Sequence, residues 1–358
     1  MVVRSRFIIF VDKTGDSQYN GYIRLFRGDF MAGISLAVVG ATGLVGRSIL
    51  AILEERGFPC SRVRLLASAR SAGLPVLFRG EEVVVEQLSV AAFDGDVPQI
   101  ALFSAGGDIS RQYAPILAGL GAVVIDNSSA WRMDAAVPLI VPEVNPRAID
   151  GHANIIANPN CSTIQAVAAI APLHSKYKIR RVVYSTYQAV SGAGQGGIDD
   201  LNATLAGENP KYFQTTIAGN VIPHIDTFLT NGYTREEWKM IEETRKILNA
   251  PNIAITATCC RVPVLNGHSI SINLEFEHSF EMDELRGILG DAPGVVVYDD
   301  GYPTPLEISG RDEVFIGRIR RDESVPNGLN MWVCADNLRK GAALNAVQIA
   351  EILSNRGI

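Results

Sequence analysis

One cysteine carries the first chemical reading. Cys161 stands in NPNCSTIQ, after an Asn-Pro turn and before the largely apolar run AVAAIAPL, which is the pattern of a helix N-terminus. There the helix dipole lowers a thiol pKa, and the following N–H groups can stabilise an oxyanion, so Cys161 reads as a nucleophile. Cys60, Cys259, Cys260 and Cys334 lie in loop or β-like runs and read as small buried hydrophobes. A thiolate also needs a proton-transfer partner, and five histidines compete for that role. His268, in CRVPVLNGHSISI, stands in a turn between two strand-like segments, and His224, in NVIPHIDTF, comes next. His152, His174 and His278 lie in polar contexts that surface exposure explains. Spacing alone does not choose among them, because the fold can bring any of them beside Cys161.

A second stretch with chemistry in it is GATGLVG, between the buried-strand run ISLAVVG and the helical run LVGRSILAILEER. Gly40, Gly43 and Gly46 allow a tight turn, close approach of a pyrophosphate and close helix packing. A helix N-terminus offers free N–H groups and a partial positive charge to that anion. With a strand before it and a helix after it, the turn reads as a dinucleotide site. NAD-binding folds place an acid at the end of the second strand. Here that strand ends LLASARSAG, with Ser68, Arg70 and Ser71 and no carboxylate, a set that suits the 2′-phosphate of NADP(H).

These groups need a scaffold to position them. Short apolar strands recur at VRLLAS, IALFSAG and AVVIDNSS with helix-length segments between them, which predicts a parallel sheet with crossover helices. After Cys161 the runs lengthen and become β-rich, in RRVVYSTYQAVS, NIAITATCCRVPV, HSISINLEFE and LNMWVCAD, which predicts a mixed or antiparallel sheet with its own helices. The last segment, KGAALNAVQIAEILSNR, is amphipathic and is expected to return to the first domain. The fold class is therefore α/β, with a Rossmann-like dinucleotide-binding domain over residues 34–160, completed by a C-terminal helix within 336–358. An α+β catalytic and dimerisation domain with a mixed sheet follows over 161–335. Residues 1–33 read as a dispensable extension: FIIFV is too brief for a secretory core and Asp12 and Lys13 follow it at once.

Composition narrows the classes. The 358 residues exceed one usual core, and 47% hydrophobic with 20% charged residues describes an ordinary globular protein. A net charge of −6 disfavours a general nucleic-acid or anionic-membrane binder, yet local cations can still hold a small anion. Five cysteines with no metal-like CxxC pair suit a reducing compartment, so a cytoplasmic protein without a metal site is expected. Apolar runs stop well short of the roughly 18 residues of a membrane span.

The segments LAVVGATGLVG, ASARSAG, FSAGG, IVPEVN, NPNCSTIQ, STYQAVSGAG, EEWKM, CRVPVLNGHS and DNLRKGAALNAVQIAE occur in the order seen in aspartate-semialdehyde dehydrogenases, and from Ile34 to Ile358 the chain resembles that family. The resemblance implies NADPH-dependent reduction of L-aspartyl 4-phosphate to L-aspartate 4-semialdehyde with release of phosphate, through a cysteine thioester, in lysine, threonine and methionine biosynthesis. It implies Cys161 as nucleophile, His268 as acid/base, Gln188 as the residue that positions nucleophile and intermediate, and Asn160 beside the cysteine. Arg132 and Lys239 match the phosphate-binding pair. Arg261 matches the α-carboxylate arginine, and Glu236 the partner of the substrate ammonium. For the cofactor, Gly40, Thr42, Gly43, Leu44 and Val45 match the pyrophosphate segment, Ser68, Arg70 and Ser71 the 2′-phosphate segment, and Gly192 and Gln348 further contacts. Assembly as a homodimer or tetramer through the β-rich domain is implied as well, and the long apolar strands from Ile179 onward, more sheet than one helix layer can cover, lead us to expect a large apolar interface there. Glu236 and Lys239 lie in TREEWKMIEETRK, a charged helix in which a solvated Glu and Lys are the ordinary case. The rival readings are a related acyl-phosphate reductase such as N-acetyl-glutamyl-phosphate reductase, whose blocked amine needs no partner like Glu236, and a non-catalytic homologue acting as a binding protein, against which the joint presence of Cys161, Gln188, Arg261 and His268 argues.

Overall fold

The computed structural model describes residues 33–358, so apart from Gly33 the expected N-terminal extension lies outside the described residues. The chain runs β1 (Ile34–Val39), α1 (Leu44–Glu55), β2 (Cys60–Ala67), the hairpin β3 (Pro75–Phe78) and β4 (Glu81–Val84), β5 (Glu86–Gln87), β6 (Ile100–Phe103), α2 (Gly107–Gly119), β7 (Val123–Asp126) and β8 (Ile155–Ala157). It continues with α3 (Cys161–Tyr177), β9 (Ile179–Gln188), α4 (Gln195–Leu205), α5 (Arg235–Ile247), β10 (Ala254–Arg261), β11 (His268–Phe276), α6 (Met282–Gly290), β12 (Val295–Val297), α7 (Pro305–Ile308), β13 (Val314–Asp322), β14 (Gly328–Ala335) and α8 (Leu344–Asn355).

The first sheet has the order β5-β2-β1-β6-β7-β8 with every pairing parallel. Helices on both faces explain why β6 and β7 are buried throughout and read as unbroken apolar runs. The order reverses between β1 and β6, which opens a crevice beyond their C-terminal ends, where doubly wound sheets bind ligands. The turn after β1 lies in that crevice. A Cβ on Gly40, at φ +88°, would come within 2.9 Å of the Ser104 backbone, which follows β6.

The second sheet has the order β10-β9-β11-β14-β13-β12, with β9–β10 and β12–β13 parallel and the central pairings antiparallel. One face packs on α3, α5 and α6 through residues such as Ala169, Leu173, Met240, Ile241 and Leu285. The opposite face corrects the expectation of a broadly apolar surface. Because side chains alternate along a strand, it presents Arg181, Ser185, Ser271, Asn273 and Asn330 around the paired rings of Tyr187 and Trp332, whose centroids are 5.5 Å apart.

The C-terminal segment is shorter as a helix than its pattern predicts. A π-type turn at Arg339–Ala343 precedes α8, which shares a core with β1 and α1 through Leu36, Val38, Ile52, Val347, Ala350 and Leu353. Lys340 is buried in this turn, and its ammonium donates to Glu143, Asn345 and Gln348 at 2.6–2.9 Å. The turn presses Gly341 on the start of α3, where a Cβ would lie 3.0 Å from that of Cys161.

Candidate active site

A cavity of about 710 Å³ opens between the sheets, and Cys161 lies on its wall as the first residue of α3. Asn160 caps the helix: its Oδ1 accepts the Ser162 and Thr163 N–H groups at 2.9 and 3.2 Å. Ile164 N–H bonds to the Asn160 carbonyl, so the Cys161 N–H is the first-turn amide left. This corrects the expectation that the amides following the cysteine are available to an oxyanion. The expected lowering of the thiol pKa is corrected too. Burial and the Glu236 carboxylate push the thiol up to about 11, against the opposite pull of Arg261, Arg132 and the Ser162 amide.

Helix α5 supplies the charged wall. Thr234 and Glu237 form a reciprocal capping box, and Glu237 also accepts the Cys259 N–H, which fixes the start of α5 against β10. One face of α5 then carries Glu236, Lys239 and Glu243 inward. Glu236 accepts from the Asn160 amide at 2.9 Å and from the Gln188 amide at 3.2 Å, and pairs with Lys239 at 3.2 Å. Burial pushes its carboxyl upward, but Lys239, Asn160, Gln188 and Arg261 outweigh that and hold it below the ordinary value. The solvated alternative for this pair does not hold, since Glu236 is only 5% exposed.

Glu243 escaped the sequence reading. It is 1% exposed, accepts the Asn160 N–H at 2.7 Å and pairs with Arg132 at 3.0 Å. It stands seven residues after Glu236, and that periodicity on an amphipathic helix was the available signal. Arg132 is pinned further by Nε to the Asn158 carbonyl and Nη2 to the Asn127 carbonyl. Each Nη keeps a second N–H, so the fork is held on its site by fixed acceptors and still has donors to offer.

Arg261, at the end of β10, and His268, at the start of β11, converge under Gly192. A Cβ on that glycine would meet Arg261 Nη1 at 2.9 Å and His268 Nε2 at 3.0 Å. Arg261 gives Nη1 to the Ala189 carbonyl, while its buried Nε has no protein partner. His268 is fully buried, not in an open turn, and its Nδ1 accepts the Ala189 N–H at 3.1 Å, which puts the proton of the neutral ring on unpartnered Nε2. Burial and Arg261 lower its pKa to about 3. His224 lines the same cavity, stacked on Phe228 at 4.4 Å. His152 accepts the Asn154 N–H in its loop, His174 accepts the Ile179 N–H from the last turn of α3, and His278 is exposed.

The nucleotide side is built mostly of backbone. Helix α1 has Gly43 as its N-cap, with no side-chain cap and no acid in its first turn, so the amides of Leu44, Val45 and Gly46 are left without a side-chain partner. A Cβ on Gly46 would lie 2.2 Å from the Gly40 carbonyl, so this turn admits only glycine there. Thr42 and Ser71 hydroxyls meet at 3.3 Å. Ser68 and Arg70 are exposed beside them, and among the described residues Arg70 has no ion pair. The nearest acid on the neighbouring strand, Glu86, is held by Arg64 at 2.5 Å. These residues fit a nicotinamide dinucleotide. Val45, Gly192, Asn127, Ser129 and Asn337 join this side to the cavity around Cys161. Gln348 does not line that cavity and is held by Lys340 and Glu143.

A dinucleotide crevice joined to a cysteine set among fixed charges defines an oxidoreductase of the semialdehyde dehydrogenase class. Residues 35–152 match the model described as semialdehyde dehydrogenase, NAD binding domain, and residues 170–340 that described as semialdehyde dehydrogenase, dimerisation domain. The chain belongs to the aspartate-semialdehyde dehydrogenase family. A member from Aquifex aeolicus is 54% identical over 340 residues, covering 91% of this chain and 99% of the relative. The crystal structure of aspartate semialdehyde dehydrogenase II complexed with ASA from Vibrio cholerae matches with a TM-score of 0.87 and 46% identity, over 90% of this chain and 98% of that one. The structure with NADP from Candida albicans matches at 0.72 with 26% identity, over 90% and 100%. Among the described residues no helix is long and apolar enough to cross a membrane.

Proposed function

We propose that the protein reduces L-aspartyl 4-phosphate to L-aspartate 4-semialdehyde, releasing phosphate, with NADPH as reductant and a thioester on Cys161. The observation that carries this reading is the division of charge around the sulfur. Arg261 and Glu236 provide for an amino acid's carboxylate and ammonium, and Arg132 with Lys239 for a phosphate. The open Nε edge of Arg261 suits a bidentate carboxylate. Glu236 would take the ammonium, which also discriminates against an N-acetylated substrate.

At neutral pH the resting thiol is protonated, because its pKa lies near 11. An ammonium docked on Glu236 cancels the carboxylate's unfavourable field and favours the thiolate, and the thiol proton passes to His268 Nε2 in the tautomer that carries its own proton on Nδ1. The thiolate then attacks the acyl carbon, and the C–O bond to phosphate breaks to leave the thioester. NADPH, when bound, supplies hydride. Gly40, Thr42 and Gly43 with the amides of Leu44 and Val45 would hold its pyrophosphate, and Ser68, Arg70 and Ser71 its 2′-phosphate. Gly192, on the cavity wall, would lie beside the nicotinamide. The Cys161 N–H and the His268 Nε2–H are the donors for the oxygen that gains charge. To accept a proton at Nε2, His268 must exchange its tautomer and give up the Ala189 contact. Collapse of the thiohemiacetal returns the thiolate and releases the aldehyde. The Tyr187–Trp332 face of the second sheet is the surface we assign to a homodimer. The enzyme would serve the formation of lysine, threonine and methionine in the cytoplasm.

The test is the reverse reaction, with aspartate semialdehyde, phosphate and NADP. Turnover is expected, and Cys161→Ser should lower it by about a thousandfold or more while NADPH binding stays within a few-fold. Near-normal activity in that variant removes Cys161 from the mechanism.

A further inference from the structure

Asp226 is a cavity residue that the proposed chemistry does not use. It lies on the loop before α5, adopts φ +68°, and accepts the Thr227 N–H at 2.8 Å through Oδ1. Its Oδ2 holds Lys239 Nζ at 2.8 Å, closer than Glu236 does at 3.2 Å. Together with the Arg132–Glu243 pair, two cations of the anion subsite face three carboxylates. Glu236 also carries the Asn160 and Gln188 amides, and Glu243 the Asn160 N–H. Asp226 has no such second duty toward the nucleophile.

We infer that Asp226 is a counter-ion that competes with phosphate for Lys239 and so speeds phosphate release. This rests on the reading of Arg132 and Lys239 as the phosphate subsite. A phosphate oxygen within hydrogen-bond reach of Lys239 stands close to the Asp226 carboxylate, and like charges at that separation repel. In the reductive direction phosphate must clear the site once the thioester has formed, and Asp226 takes back the lysine as it goes. In the opposite direction the same carboxylate weakens the binding of free phosphate.

Asp226→Asn keeps the side-chain shape and tolerates the left-handed backbone, so the loop is preserved. Inorganic phosphate is varied in the oxidative assay. The variant should lower the phosphate KM by about three- to tenfold, with the KM for aspartate semialdehyde within about twofold, and the gap should narrow as salt is raised. A phosphate KM that stays the same or rises overturns the inference. Lys239→Met separates this from the underlying assignment. A rise in phosphate KM of about tenfold or more supports the subsite, and adding Asp226→Asn to that variant should then lower the phosphate KM by less than it does alone, since only the direct repulsion is left to remove. A phosphate KM unmoved by Lys239→Met removes the subsite and the inference with it.

Discussion

Two helix N-termini face the same crevice and are finished in opposite ways. At α1 the cap is Gly43, which has no side chain to occupy the first amides. At α3 the cap is Asn160, whose side chain takes the amides of Ser162 and Thr163, while Glu243 takes its own N–H. An open end has unmet donors and a partial positive charge, and it is suited to an anion brought from outside. A closed end spends most of its donors on its own cap. What it gains is a fixed position for the residue that follows. The difference separates a binding turn, made of backbone, from a reaction turn held by buried polar side chains.

The comparison is broken most directly by closing the open end. Gly43 has φ −74°, and a Cβ there would meet nothing closer than 3.4 Å, so Gly43→Asp should fold with a stability change of a few tenths of a kcal/mol. Its carboxylate should occupy the α1 amides and repel pyrophosphate. NADPH affinity, followed by fluorescence titration, is expected to fall about a hundredfold. Unaltered affinity would mean that the pyrophosphate does not use these amides.

A smaller effect is expected one step outward, at the exposed charge beside the same turn. Arg70→Asp should weaken NADP binding by about ten- to a hundredfold and leave NAD binding within a few-fold, since only NADP carries the 2′-phosphate. Equal losses for both cofactors would assign Arg70 a structural role. The smallest effect belongs to the closed end. Asn160→Ala should cost about 1 kcal/mol of stability in urea unfolding, as lost caps do. Its turnover should fall by more than that loss explains, because Glu236 loses a partner and Cys161 its fixed position. A variant with lowered stability and normal kcat would reduce Asn160 to a cap.

Much of this was legible in the chain alone. The unbroken apolar runs of β1, β6 and β7 announced a sheet covered on both faces, and the glycine spacing announced the turn, because both depend on residues close together in sequence. The placement of Cys161 at a helix start was local in the same way. The electrostatics around it were not. A thiol at a helix N-terminus reads as lowered, yet here burial and a carboxylate from α5, seventy-five residues later, reverse the sign. The largely polar outer face of the second sheet had a signal in the sequence too, the strict alternation of Ser271, Asn273 and Glu275 with Ile270, Ile272 and Leu274 in HSISINLEF.

The sequence by itself determined the apolar strands of the first sheet, the long β runs of the second, the glycine turn and the helix start at Cys161, and the residue types able to bind an anion or attack a carbonyl. These follow from periodicity, turn chemistry and side-chain functional groups, all of short range. Only the tertiary structure decided which charges meet. It brought Glu243 to Arg132 and Asn160, Asp226 to Lys239, and Ala189 to both His268 and Arg261. Coulombic and hydrogen-bond energies depend on distances of a few ångströms between residues far apart in the chain, and on the burial that removes water from between them.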